Sequence, residues 1–111
     1  MTTIALDTET TGLDLYHGAR PYLVTTALED GTNRWWEWDV DPYTRRVLYR
    51  KGDLREIAET VREADTLVLQ NAKFDYTALR LLFMDAHEEL PWEWAKVRDT
   101  LYAGHLLNSG Q

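Results

Sequence analysis

The chain has 111 residues, no cysteine, and 19 acids against 12 bases, for a net charge of −7. That length allows one domain, and 44% hydrophobic and 12% aromatic residues supply a core that disordered chains lack. Excluded are a disulfide scaffold, a thiolate metal site, a thiol nucleophile and any apolar run of about 18 residues able to cross a membrane. Met1 to Thr10 carries two acids and no basic stretch, so it does not read as a signal peptide. The sequence pI near 4.8 disfavours extensive coating of duplex DNA. It leaves room for an acidic site that recruits cations and grips a short strand end.

In chain order, Thr3-Ile4-Ala5-Leu6 predicts a first strand running into a polar cluster. Gly12 and Gly18 bracket a loop. Tyr22 to Leu28 predicts a second strand, stopped by the hairpin signal Asp30-Gly31. Asn33 to Trp38 predicts a third, with Trp36 and Trp38 on one face and Trp35 on the other. Asp53 and Glu56 resemble a capping box at the head of an amphipathic helix over 54–64, with Leu54, Ile57, Ala58 and Val61 on one stripe. Thr66 to Gln70 predicts a buried strand. Phe74, Ala78, Leu81 and Leu82 mark a second helix. After Pro91, a short strand is expected near Ala95-Lys96-Val97, and a last helix from Asp99 to Leu107. The order β-β-β-α-β-α-β-α implies an α/β fold, with a mixed five-stranded sheet flanked by helices.

Two acidic segments carry chemistry. In Asp7-Thr8-Glu9-Thr10-Thr11-Gly12-Leu13, residues i and i+2 of a strand share a face, so Asp7 and Glu9 present two carboxylates side by side. Such a pair repels unless a cation sits between them, and hard ions such as Mg²⁺ or Mn²⁺ prefer all-oxygen donors. The bland account is a solvated strand end. In Gln70-Asn71-Ala72-Lys73-Phe74-Asp75, an acid falls in the first turn of a helix, where it also complements the helix dipole. If the first and fourth strands are neighbours, Asp7, Glu9 and Asp75 converge beyond the strand ends, where open α/β sheets bind ligands.

DTETTGL followed about 65 residues later by NAKFDYTAL resembles the first two motifs of the ribonuclease H-like DEDD 3′→5′ exonucleases. The segment Asp99-Thr100-Leu101-Tyr102-Ala103-Gly104-His105-Leu106-Leu107-Asn108-Ser109 resembles the stretch after those two motifs in proofreading domains of family A DNA polymerases, phage and bacterial ones above all. The resemblance spans essentially the whole chain, read as a single partial exonuclease domain over 1–111. It implies a ribonuclease H-like fold and two divalent metal ions, Mg²⁺ or Mn²⁺, held by Asp7, Glu9 and Asp75 as catalytic residues. It implies hydrolysis from DNA 3′ ends, with Thr8, Thr10, Leu13, Gln70, Asn71 and Phe74 contacting the substrate strand. The implied partners are a single-stranded DNA 3′ end and a polymerase domain in the same or a separate chain. The implied setting is the cytoplasm of a bacterial or phage-infected cell, with no membrane association.

The family's third motif, an Asp preceded at fixed spacing by Tyr or His on a later helix, has no counterpart after Asp75. His105 follows Asp99 rather than preceding it, and reads as a helix-face residue. The expectation is therefore a chain cut short of its last catalytic helices, weak or inactive alone. Two alternatives remain: a non-catalytic module that keeps the fold, and an RNA-trimming exonuclease of the same superfamily. Three further features have surface or packing accounts. Asp85, Glu88 and Glu89 read as a solvated acidic stretch. Trp92 and Trp94 read as cover for a sheet edge or a contact with a partner. Arg45, Arg46, Arg50 and Lys51, the lone local basic cluster, read either as solvated surface or as a face toward a nucleic-acid backbone or a polymerase domain.

Overall fold

A computed structural model describes residues 1–100 of the chain. Its centre is β1 (Thr3–Thr10), flanked on one side by β2 (Pro21–Leu28) and β3 (Asn33–Glu37) and on the other by β4 (Thr66–Leu69) and β5 (Val97–Asp99). The sheet order is β3-β2-β1-β4-β5. The first three strands form an antiparallel meander, turned at Gly31, whose φ of +92° suits glycine. β4 runs parallel to β1, and β5 parallel to β4. Parallel neighbours need crossovers, and the two helices supply them: α1 (Lys51–Glu63) before β4, and α2 (Ala72–Asp85) before β5.

Alternation along β1 decides which face is covered. Ile4, Leu6 and Thr8 are buried, while Ala5, Asp7 and Glu9 are exposed. Ile4 and Leu6 join Val24, Trp36, Leu67 and Leu69 in one core with Leu54, Ile57, Leu79, Leu82 and Phe83 of the helices. Both helices therefore lie on one side of the sheet. Burying a side chain such as Phe83 or Leu54 stabilises the fold by about 1.5–3 kcal/mol.

Several expectations shift at element ends. β1 runs on to Thr10 instead of ending at Leu6, so Asp7 and Glu9 are strand residues. α1 begins at Lys51, three residues earlier than the apolar stripe implies, and its cap residue Arg50 contributes no side-chain hydrogen bond. Asp53 therefore sits inside the helix, and the expected capping box does not form. Its carboxylate instead accepts the indole N–H of Trp38 at 2.8 Å. Asp99 closes β5 rather than opening a helix. The rest of that predicted helix, His105 included, lies outside the described residues. Asp85 and Glu88 are not merely solvated: Asp85 accepts from Arg20 Nε at 2.7 Å and Glu88 from Arg55 Nε at 3.0 Å. Trp36 and Trp38 are core residues and Trp35 is exposed, as the alternation predicts. Trp92 and Trp94 pack with Tyr76 of α2 in a triangle of rings, centroids 5.1–5.6 Å apart.

Candidate carboxylate site at the end of the central strand

The parallel ladder between β1 and β4 stops at the Ala5–Val68 pair. Beyond it β1 continues alone on that side, and a register shift between Glu9 and Thr10 bends its end. The turn Gln70-Asn71 carries the chain from β4 into α2. The first turn of α2 therefore stands beside the free edge of Asp7 to Thr10.

Asp75 is buried there, at 3% exposure. Its Oδ1 accepts the Thr8 hydroxyl at 2.6 Å, a contact across 67 residues of chain that ties the two acidic segments together. Burial is the main force raising the Asp75 pKa, pushed up to about 6. The Thr8 hydrogen bond pulls the other way, and the negative fields of Asp7, Asp99 and Glu9 add to the rise. Asp75 thus feels three other acids around one strand end.

Asp99 is the member that sequence reasoning missed. The β4–β5 register pairs Leu69 with Asp99, which sets Asp99 level with the start of α2. Its Oδ2 accepts the backbone N–H of Ala72 at 3.0 Å. Asn71, the cap residue of α2, makes no side-chain cap bond, so Asp99 supplies the cap from a neighbouring strand. Only knowledge of the β4–β5 register would have revealed this.

The other expected residues divide. Asp7 and Glu9 project from the open face, opposite to Thr8. Asp7 and Gln70 line a broad hollow of about 690 Å³ on that face, with Ala5, Thr25, Trp35 and Val68. Thr8, expected to touch substrate, is buried and spends its hydroxyl on Asp75. The Thr10 hydroxyl donates to the Gly12 carbonyl at 2.7 Å and shapes the loop. Leu13, at 87% exposure, belongs to no core and stands free at the loop tip. Gln70 and Asn71 are exposed at the mouth of the crevice, and Phe74 is half-buried beside Asp75. Among the described residues, no three carboxylate or imidazole groups stand close enough to make a ready-built metal cluster. The donor chemistry nonetheless suits a hard cation: all-oxygen ligands whose mutual repulsion a positive ion would relieve.

The architecture is an α/β domain, a mixed five-stranded sheet with two helices, of a kind found within DNA polymerases. It superimposes on part of the family B DNA polymerase from the hyperthermophilic archaeon Pyrobaculum calidifontis with a TM-score of 0.58 and 18% identity, over 81% of this chain and 12% of that one. In sequence, the chain is 30% identical over 105 residues to DNA polymerase DpoZ of Salmonella phage PMBT28. That alignment takes in 95% of this chain and 15% of the polymerase, so the chain spans a small part of its relative's length. No family model matches the sequence.

Proposed function

We propose that the chain is a 3′→5′ exonuclease domain of proofreading type, acting on DNA 3′ ends with two divalent metals. One observation carries the reading: Asp7 and Glu9 share a face at the end of the central strand, and their fields reach a buried Asp75 that Thr8 holds in place. The similarity to two proteins named as DNA polymerases supports it. The preference for the family A branch rests on the Asp99-Thr100-Leu101 resemblance alone, since the solved structure of similar fold is a family B polymerase.

In this reading Asp7 and Glu9 on the open face of β1, together with Asp75 beside Thr8, would hold the cations. Two such cations, when bound, lower the pKa of an attacking water and offset charge on the departing 3′ oxygen. The Thr8 hydroxyl keeps the Asp75 carboxylate in one rotamer. Asp99 fixes the start of α2 and with it the position of Asp75. The exposed Leu13 lies against the terminal base, while Gln70, Asn71 and Phe74 line the strand's approach.

Two measurements test the proposal. Calorimetric titration with Mn²⁺ should show binding that Asp7→Ala and Asp75→Asn each weaken by at least about tenfold. Single-stranded DNA labelled at its 3′ end should release labelled nucleoside 5′-monophosphate in Mn²⁺, and Asp7→Ala should stop it. A matched RNA strand cut equally well would move the reading to RNA trimming. The lack of a ready-built cluster among the described residues favours a second reading, a folded module without catalysis. Mn²⁺ binding unchanged by Asp75→Asn would select it.

A further inference from the structure

The loop between β3 and α1 bears no part of the site above, yet it is built with care. Val40 and Val47 bridge its base. Inside it, the Asp41 carboxylate accepts the backbone N–H groups of Tyr43 at 2.8 Å and Thr44 at 3.1 Å. Those bonds, the one from Thr44 foremost, hold the Asp41 pKa below its usual range and turn its carboxylate to the backbone, while the loop's other acid, Asp39, precedes the cationic stretch. Arg45 adopts φ of +63°, a conformation rare for a side chain of its size, and its guanidinium donates to the Thr11 carbonyl at 3.0 Å. Thr11 lies two residues beyond Glu9. The loop is thus tethered to the end of the central strand.

What the loop shows to solvent is a different chemistry from the rest of this acidic chain. Tyr43 is 94% exposed. Arg45, Arg46, Arg50 and Lys51 are all exposed, and no acid occurs between Pro42 and Gly52. Among the described residues none of these four cations is in an ion pair. A cleft of about 360 Å³ runs between this loop and the loop after β1, lined by Arg46, Tyr49, Arg20 and Asp85, of which the last two pair with each other. Unpaired cations beside an exposed ring form the combination that binds single-stranded nucleic acid, with the cations on phosphates and the ring on a base.

We propose that Tyr43, Arg46 and Arg50 form a backbone-binding track for the nucleotides upstream of the 3′ end. The inference rests on the exonuclease reading for its direction, not for the binding itself. The track holds the strand while its end enters the carboxylate site, so an acidic domain grips DNA through one local patch.

The test is fluorescence anisotropy with a labelled ten-residue oligothymidylate in EDTA, across a salt series, using the 111-residue chain. Arg46→Gln with Arg50→Gln should weaken binding about tenfold and lower the slope of log affinity against log salt by about 1.4, near 0.7 per lost phosphate contact. Tyr43→Ala should weaken it about fivefold with the slope unchanged. Arg55→Gln with Arg62→Gln makes the same change in net charge on the exposed side of α1 and should leave affinity as it was. Equal losses in both double variants would reduce the effect to net charge and overturn the proposal. So would wild-type affinity in the Arg46/Arg50 variant, which would turn the patch into a protein-facing surface. Failure of the exonuclease reading looks different: the strand is not cut in Mn²⁺, yet the affinity difference in EDTA persists.

Discussion

On the covered face of the sheet, Ile4, Leu6, Val24, Trp36, Leu67 and Leu69 are each 6% exposed or less. On the open face, Ala5, Asp7 and Glu9 reach solvent and Trp35 is 63% exposed. The same strand supplies both, one residue apart. The covered face holds the fold, and the open face is free to carry charge that a core would reject. Thr8 and Asp75 form a buried polar pair on the covered side that links the two acidic segments.

The comparison breaks first where packing is lost. Phe83→Ala on the covered side should cost about 4 kcal/mol in urea denaturation, because a fully buried ring leaves a cavity. Trp35→Ala should cost about 0.5 kcal/mol or less. A large loss at Trp35 would mean that the open face is covered in solution.

The next effect is one of pH. The folded Asp75 pKa of about 6 lies above its unfolded value of 3.8, so the folded state holds this proton more tightly. Its contribution is fully present below the unfolded value and is lost as pH rises through about 6. In EDTA, wild type should therefore lose stability relative to Asp75→Asn across that window, by at most about 3 kcal/mol. Mn²⁺ should flatten the difference by favouring the ionised carboxylate. A difference that does not change with pH would show that Asp75 ionises as freely as an exposed acid.

Thr8→Val should cost about 2 kcal/mol above pH ~7, where the carboxylate is ionised and loses its donor, and less near pH ~5. Trp38→Phe should cost about 1 kcal/mol by removing the bond to Asp53. Arg50→Ser should stabilise the protein by about 0.5–1 kcal/mol in thermal melts, since it gives α1 the side-chain cap that Arg50 does not provide.

Much of this arrangement is legible in the sequence, and the limits have physical causes. Period-two alternation puts Asp7 with Glu9, and Trp36 with Trp38, because strand geometry allows nothing else. The adjacency of the first and fourth strands follows from ordinary sheet topology. The Asp53–Glu56 spacing misleads, because α1 starts at Lys51 and leaves Asp53 inside its first turn, where its carboxylate accepts from Trp38, 15 residues earlier. Thr8 reads as one more polar residue between two acids. Its partner lies 67 residues away, and no local pattern encodes that. The role of Asp99 depends on a three-residue strand whose register is set by its neighbour.

The sheet order has a consequence for synthesis. The strand at the centre of the sheet is made before the other four, and its second neighbour begins only at Thr66. β1 can zip into the meander with β2 and β3 early, since those contacts are short in sequence. Its other edge, bearing Thr3, Ile4 and Ala5, then waits unpaired through the translation of all of α1. Over that interval the nascent chain offers a bare β-edge to any strand nearby. Edge-to-edge association during translation is thus the characteristic hazard of a fold whose central strand precedes both of its neighbours.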